Sequence, residues 1–107
     1  MLTKRKIKNK VRVTFNLPAQ QGDESVYLVG DFNDWDVRAT PMAFMSEGYW
    51  EVRLSLRPSR EYQYRYLVNG SIWRNDPAPD SYVRNEFGSE NSVAATINES
   101  RTKRTDT

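Results

Sequence analysis

Apolar and polar residues alternate with period two through Val11-Arg12-Val13-Thr14-Phe15-Asn16-Leu17 and stop at Pro18. That pattern predicts a half-buried strand closed by a residue with no backbone N–H. Residues 26–29 form a continuous apolar run ended by Gly30, and residues 49–56 alternate again with Trp50, Val52, Leu54 and Leu56 on one face, so two more strands are predicted. In the next strand Tyr62, Tyr64, Tyr66 and Val68 share one face, and Gln63, Arg65 and Leu67 the other. Asn69-Gly70 is the strongest short-range hairpin signal and joins this strand to Ser71-Ile72-Trp73. Asp76-Pro77-Ala78-Pro79-Asp80 reads as a loop, and Val93, Ala95 and Ile97 mark the apolar face of a last strand. No segment has helical periodicity. Six or seven short strands in about 90 residues predict an all-β fold, an antiparallel immunoglobulin-like β-sandwich, with a small barrel as the second choice.

A chain of 107 residues has room for one domain. It contains no cysteine and no histidine, which removes disulfides, thiolate nucleophiles, histidine triads and the usual zinc ligands. Hydrophobic residues make up only 37%, yet three Trp, six Tyr and four Phe supply enough area for a thin aromatic core. Charge is uneven: residues 1–12 carry Lys4, Arg5, Lys6, Lys8, Lys10 and Arg12 with no acid, whereas residues 13–98 hold twelve acids against seven arginines and no lysine. Residues 1–10 therefore read as a basic, disordered leader, 11–98 as the sandwich and 99–107 as a polar, disordered tail. An acidic body repels phosphate, so nucleic acid is not favoured. No apolar run approaches the roughly 18 residues that cross a bilayer, and no signal-peptide core follows the basic start, so a cytoplasmic protein without membrane partners is expected.

Three tryptophans exceed what one small core needs. Trp50 lies on the apolar face of its strand and reads as core, whereas Trp35 sits in the polar turn Asn33-Asp34-Trp35-Asp36 and Trp73 directly precedes Arg74-Asn75-Asp76-Pro77, where a strand ends. Both are predicted to be exposed. Exposed indoles on a rigid sheet suit the C–H face of a pyranose, with Arg65, Ser89 and Asn91 as rim groups that satisfy its hydroxyls. The competing reading is that the two indoles cap the ends of the core and Arg65 is a solvated strand residue.

Asp31, Asp34 and Asp36 lack the glycine and closing glutamate of a calcium loop, so neither a metal nor any other cofactor is expected. A glycosidase pair needs two carboxylates across a cleft about 5 to 10 Å wide, which a thin sandwich rarely builds, so no enzyme is expected.

Gly30-Asp31-Phe32-Asn33-Asp34-Trp35, Tyr62-Gln63-Tyr64-Arg65-Tyr66-Leu67-Val68-Asn69-Gly70 and Trp73-Arg74-Asn75-Asp76-Pro77 together resemble, in order and spacing, the glycogen-binding domain of AMP-activated protein kinase β subunits. More widely the chain resembles the carbohydrate-binding, early-set domains at the front of isoamylases, pullulanases and branching enzymes, over roughly residues 11 to 97. The resemblance implies a non-catalytic sandwich that binds α-1,4-linked glucans. It implies stacking by Trp35 and Trp73, a basic strand residue at Arg65, an apolar loop contact at Phe87 and polar partners at Ser89 and Asn91. Phe87 stands where the family usually has an aliphatic residue, Ser89 replaces threonine, and Ile72 is an extra residue in the hairpin. The expected partner is an α-glucan, together with a glucan-metabolising enzyme or a kinase-type protein. The alternative is a docking or regulatory sandwich that binds protein and no sugar.

Overall fold

The computed structural model describes residues 1–97. Its strands are β1 (Leu2–Ile7), β2 (Lys10–Pro18), β3 (Val26–Gly30), β4 (Ala43–Met45), β5 (Tyr49–Leu56), β6 (Glu61–Val68), β7 (Ile72–Arg74), β8 (Ser81–Arg84) and β9 (Glu90–Ala95). They form two sheets in the order β1-β2-β5-β4 and β3-β6-β9-β8, with β7 alongside the far end of β6. Every pairing is antiparallel. This is the predicted all-β, immunoglobulin-like sandwich.

The core lies where the alternation put it. Val11, Val13, Phe15 and Leu17 of β2 face the same way as Leu56, Leu54, Val52 and Trp50, their partners across β5. Tyr64, Tyr66 and Val68 of β6 close the other side. Phe15 meets Tyr64 edge to face at 5.0 Å between ring centroids, and Tyr64 meets Tyr66 at 5.7 Å, geometries that add to the area each ring buries.

Three sequence expectations are corrected. Residues 1–10 are not a disordered leader, since Leu2–Ile7 pairs with β2 from Leu2↔Phe15 to Ile7↔Lys10. The charges of β1 conceal the strand: Leu2 and Ile7 are its only apolar residues, too few for a period to register. Residues 99–107, expected to be a disordered tail, lie outside the described residues.

The last strand has the opposite phase to the one predicted. Ser92 and Ala94 stand opposite Tyr64 and Tyr62 and face the core, which puts Val93 with Gln63 on the outer face, where Val93 is nonetheless buried as expected. A buried serine in the core is tolerable because its hydroxyl is fully engaged, accepting from the Asp76 N–H at 2.9 Å and donating to Asn75 Oδ1 at 2.9 Å.

The hairpin after β6 pairs from Val68↔Ile72, so Ser71 belongs to the turn and not to a strand. Asn69 and Gly70, at φ 54° and 77°, make the left-handed bend, and residues 69–71 absorb the extra position.

Candidate functional site

The outer face of the β6 sheet carries an open groove of about 610 Å³. Trp35, Arg65, Trp73, Phe87 and Asn91 all line it, so five residues from four separate segments converge on one surface. Asp31, Gln63, Val83 and Asn85 line it too.

Trp35 is placed by strained backbone. Gly30 passes so close to β6 that a Cβ there would lie 2.5 Å from the Gln63 carbonyl oxygen and 2.7 Å from the Tyr64 Cβ. The chain then turns through the 3-10 segment Asp31–Asn33, and Asp34 and Trp35 follow at φ 58° and 57°. A left-handed tryptophan costs on the order of 1 to 3 kcal/mol and persists only where its surroundings determine it. Here the Trp35 N–H donates to the Gly30 carbonyl at 2.9 Å, and Asn33 ties the bend by accepting from the Gly30 N–H at 3.1 Å and donating to the Leu28 carbonyl at 2.9 Å. Asp31 holds the ring: one carboxylate oxygen accepts from Trp35 Nε1 at 2.9 Å and the other from the Gln63 backbone N–H at 2.7 Å. The indole is accordingly half-buried, less open than the turn sequence predicts, with its N–H edge fixed to β6.

Trp73 is 45% exposed and stands opposite Leu67 in the β6–β7 pairing. Behind it, Arg74 forks onto Asp23 with hydrogen bonds of 2.9 and 3.0 Å. That fork, opposed by partial burial, holds the Asp23 carboxyl below its usual range.

Arg65 is less free than its place on a strand suggests. Its Nε and Nη2 both donate to the Glu90 carbonyl, at 3.1 and 2.7 Å, so the guanidinium is anchored on β9 where it lines the groove. Asn91, only 8% exposed, donates through Nδ2 to Gln63 Oε1 at 3.0 Å. Gln63 Nε2 has no partner among the described residues, and it is a donor that sequence reading missed. Its place on the Arg65 face of β6 was the available signal.

Phe87 is 83% exposed at the tip of the β8–β9 loop. Asn85 shapes that loop by accepting through Oδ1 from the Phe87 and Ser89 N–H groups at 2.9 and 3.1 Å. Ser89 does not line the groove, contrary to expectation. Its N–H and carbonyl are both taken by Asn85, the carbonyl at 2.7 Å, so its backbone helps to build the loop.

Beneath the groove Asp76 is fully buried. One carboxylate oxygen accepts from the Tyr64 and Tyr66 hydroxyls at 2.7 and 3.0 Å, and the other from the Ala78 N–H at 2.9 Å and the Met1 nitrogen. Burial first, and then the neighbouring Tyr66 and Asp76, push the Tyr64 hydroxyl far above its ordinary range; burial and Asp76 do the same to Tyr66. Asp76 reaches the surface through Ser92 and Asn75, since Asn75 Nδ2 donates to the Glu90 carbonyl at 2.8 Å, the acceptor that also anchors Arg65. Nothing in the sequence distinguishes Asp76 from the exposed acids around it except its place before Pro77.

Among the described residues no cluster of carboxylates is arranged to hold a metal, and no helix is long and apolar enough to cross a membrane. The groove offers two indoles, an exposed phenylalanine, amides and two guanidinium groups, Arg65 and Arg84, balanced by the carboxylates Asp31 and Glu86, a set suited to flat, hydroxyl-rich, neutral ligands.

The chain matches the family described as the glycogen recognition site of AMP-activated protein kinase over residues 10–102. It is 32% identical over 72 residues to the 5'-AMP-activated protein kinase subunit beta-1 of Sus scrofa, covering 67% of this chain and 54% of that protein. It is 44% identical over 45 residues to the 1,4-alpha-glucan branching enzyme GlgB of Lactobacillus acidophilus, 42% of this chain and 7% of the enzyme. The chain thus spans about half of the kinase subunit and a small part of the enzyme. Among solved structures, a maltogenic amylase from S. marinus superposes with a TM-score of 0.63 at 20% identity, over 80% of this chain and 13% of the amylase. The enterobactin esterase FES of Shigella flexneri superposes with a TM-score of 0.70 at 12% identity, over 89% of this chain and 32% of the esterase. At those identities the two structures speak to the fold alone.

Proposed function

The chain belongs to the family of the glycogen recognition site of AMP-activated protein kinase, and from that membership and the groove we propose that it holds α-1,4-linked glucan between Trp35 and Trp73. It is a non-catalytic glucan-binding module. The observation that carries the reading is the convergence of both indoles on one open groove with an amide rim. Each indole takes the C–H face of one glucose, and an α-1,4 chain bends enough to present successive rings to two differently placed platforms. Gln63, Asn91 and the Arg65 guanidinium satisfy hydroxyls that would otherwise cost about 1 to 3 kcal/mol each when dried. Phe87 supplies the apolar loop contact, and Ser89 acts through the shape of the loop. Any enzyme or kinase-type protein that works with the module is thereby brought to its glucan.

Trp35→Ala and Trp73→Ala test this directly. Each should weaken maltoheptaose binding by about 1 to 3 kcal/mol in calorimetry while the circular dichroism stays that of the parent. If both variants unfold with no separate loss of affinity, the indoles are core caps and the glucan reading fails.

A further inference from the structure

On the sheet opposite the groove, β1 pairs with β2 alone and leaves its other backbone edge free among the described residues. Its central residues are Lys4, Arg5 and Lys6. Arg5 projects from the outer face directly opposite Arg12, a like-charge cross-strand pair that weakens a sheet. Lys4 and Lys6, opposite Val13 and Val11, lie on the inner side. Lys4 is paired with Asp80 at 2.6 Å, but Arg5, Lys6 and Arg12 make no ion pair among the described residues. Beside Lys4 and Lys6 a notch of about 220 Å³ opens between the sheets, walled in part by Val11, Pro58 and Ile97.

Lysine and arginine on an edge strand are a known guard against edge-to-edge association. They act by sign: a second copy of the chain brings the same cations and is repelled, whereas a strand of opposite charge meets both the free hydrogen-bonding row and its counterions. Edge protection alone also leaves Arg12, one strand inside the edge, without a purpose. We propose that the β1 edge is the docking site for an extended acidic segment of a partner protein, added as a further strand of the sheet. Side chains of that segment alternate between the faces, so carboxylates meet Arg5 and Arg12 outside, and a small apolar residue on the inner side enters the notch beside Lys6. Residues 98–107 of this chain have the wrong sign for the role, with Arg101, Lys103 and Arg104 against Glu99 and Asp106. A bilayer is disfavoured because β1 and β2 expose no large apolar side chain for insertion, and single-stranded nucleic acid because β1 carries no aromatic for stacking.

The test is fluorescence anisotropy of the full chain with an end-labelled peptide of alternating Glu and Val, matched to the six residues of β1. Three comparisons accompany it: the same peptide with Lys for Glu, a backbone N-methylated form, and phosphatidylserine vesicles or an oligonucleotide. The acidic peptide is expected to bind, to lose about tenfold in affinity between roughly 50 and 500 mM salt, and to lose at least about tenfold with Arg5→Glu/Lys6→Glu. That variant should keep its maltoheptaose affinity, and if it unfolds, Arg5→Gln/Lys6→Gln replaces it with a smaller loss. N-methylation should abolish binding. The proposal is overturned if the acidic peptide shows no binding at millimolar concentration, if the Lys peptide binds equally, if the N-methylated peptide binds as well as its parent, or if only vesicles or oligonucleotide bind.

Discussion

Tyr66→Phe deletes one oxygen from the middle of the sandwich and leaves the ring in place, so it isolates the hydrogen bond to Asp76. The bond is 3.0 Å long, its acceptor is fully buried, and its partner oxygen keeps only the Tyr64 hydroxyl once Tyr66 is gone. A hydrogen bond to a charged group contributes about 1.5 to 3 kcal/mol, which is a substantial part of the 5 to 15 kcal/mol that holds a typical domain. Tyr64→Phe should cost a similar amount. The double variant should cost more than the sum, by about 0.5 to 3 kcal/mol, because the same carboxylate oxygen then has no hydroxyl donor and lies dry. Urea unfolding followed by tryptophan fluorescence measures all three, and Asp76→Asn, which keeps one carbonyl acceptor, should fall between a single and the double variant. A loss below about 0.5 kcal/mol for Tyr66→Phe, within the scatter of surface substitutions, or strict additivity in the double, would show that Asp76 is not the hub of the core.

Gly30→Ala should destabilise by about 1 to 3 kcal/mol in thermal unfolding, because the new methyl meets β6 backbone at 2.5 Å and the strand pair must move apart; glucan affinity should fall with it, since Gln63 moves. Asp23, whose carboxyl is held below the ordinary 3.8 by Arg74, contributes stability that is present above that value and lost as the pH falls through its folded pKa. Asp23→Asn should therefore flatten the acid limb of a stability–pH profile measured below about pH 5. The tyrosines act in the opposite sense: with folded hydroxyls raised above the ordinary 10.0, their contribution is complete below that pH and declines above it. Tyr64→Phe should reduce the alkaline decline in the same assay. Ser92→Ala should weaken maltoheptaose binding by less than either Trp35→Ala or Trp73→Ala, because Ser92 touches the groove only through Asn75 and the Glu90 carbonyl.

The strands with a buried face and a solvated face were legible because burial imposes a period of two, as in β2 and β5. β1 was not, because its inner face borders an open notch and not the packed core along Lys4 and Lys6, so an edge strand keeps its charges on both faces. The phase of β9 was misread for a related reason: Ser92 is core, and its polarity is cancelled by partners that lie 16 and 17 residues away in sequence. In the groove, Trp35 and Trp73 were visible as aromatics out of phase with any core face. Gln63 and Asp31 were hidden because their roles depend on contacts across 28 and 32 residues of sequence. Ser89 shows the limit of carrying roles over by position, since its backbone is committed to Asn85 and it does not line the groove.

Titration of the intact domain with maltoheptaose and, in parallel, with a cello-oligosaccharide, followed by tryptophan fluorescence, tests the central claim most directly. The bent α-1,4 chain should reach both Trp35 and Trp73 and saturate with a dissociation constant of about 1 μM to 1 mM, almost unchanged by salt because the ligand is neutral. The straight β-1,4 chain should reach one indole and bind much more weakly. Absence of any fluorescence or calorimetric response to α-glucan at millimolar concentration, or equal affinity for the two linkages, would contradict the account.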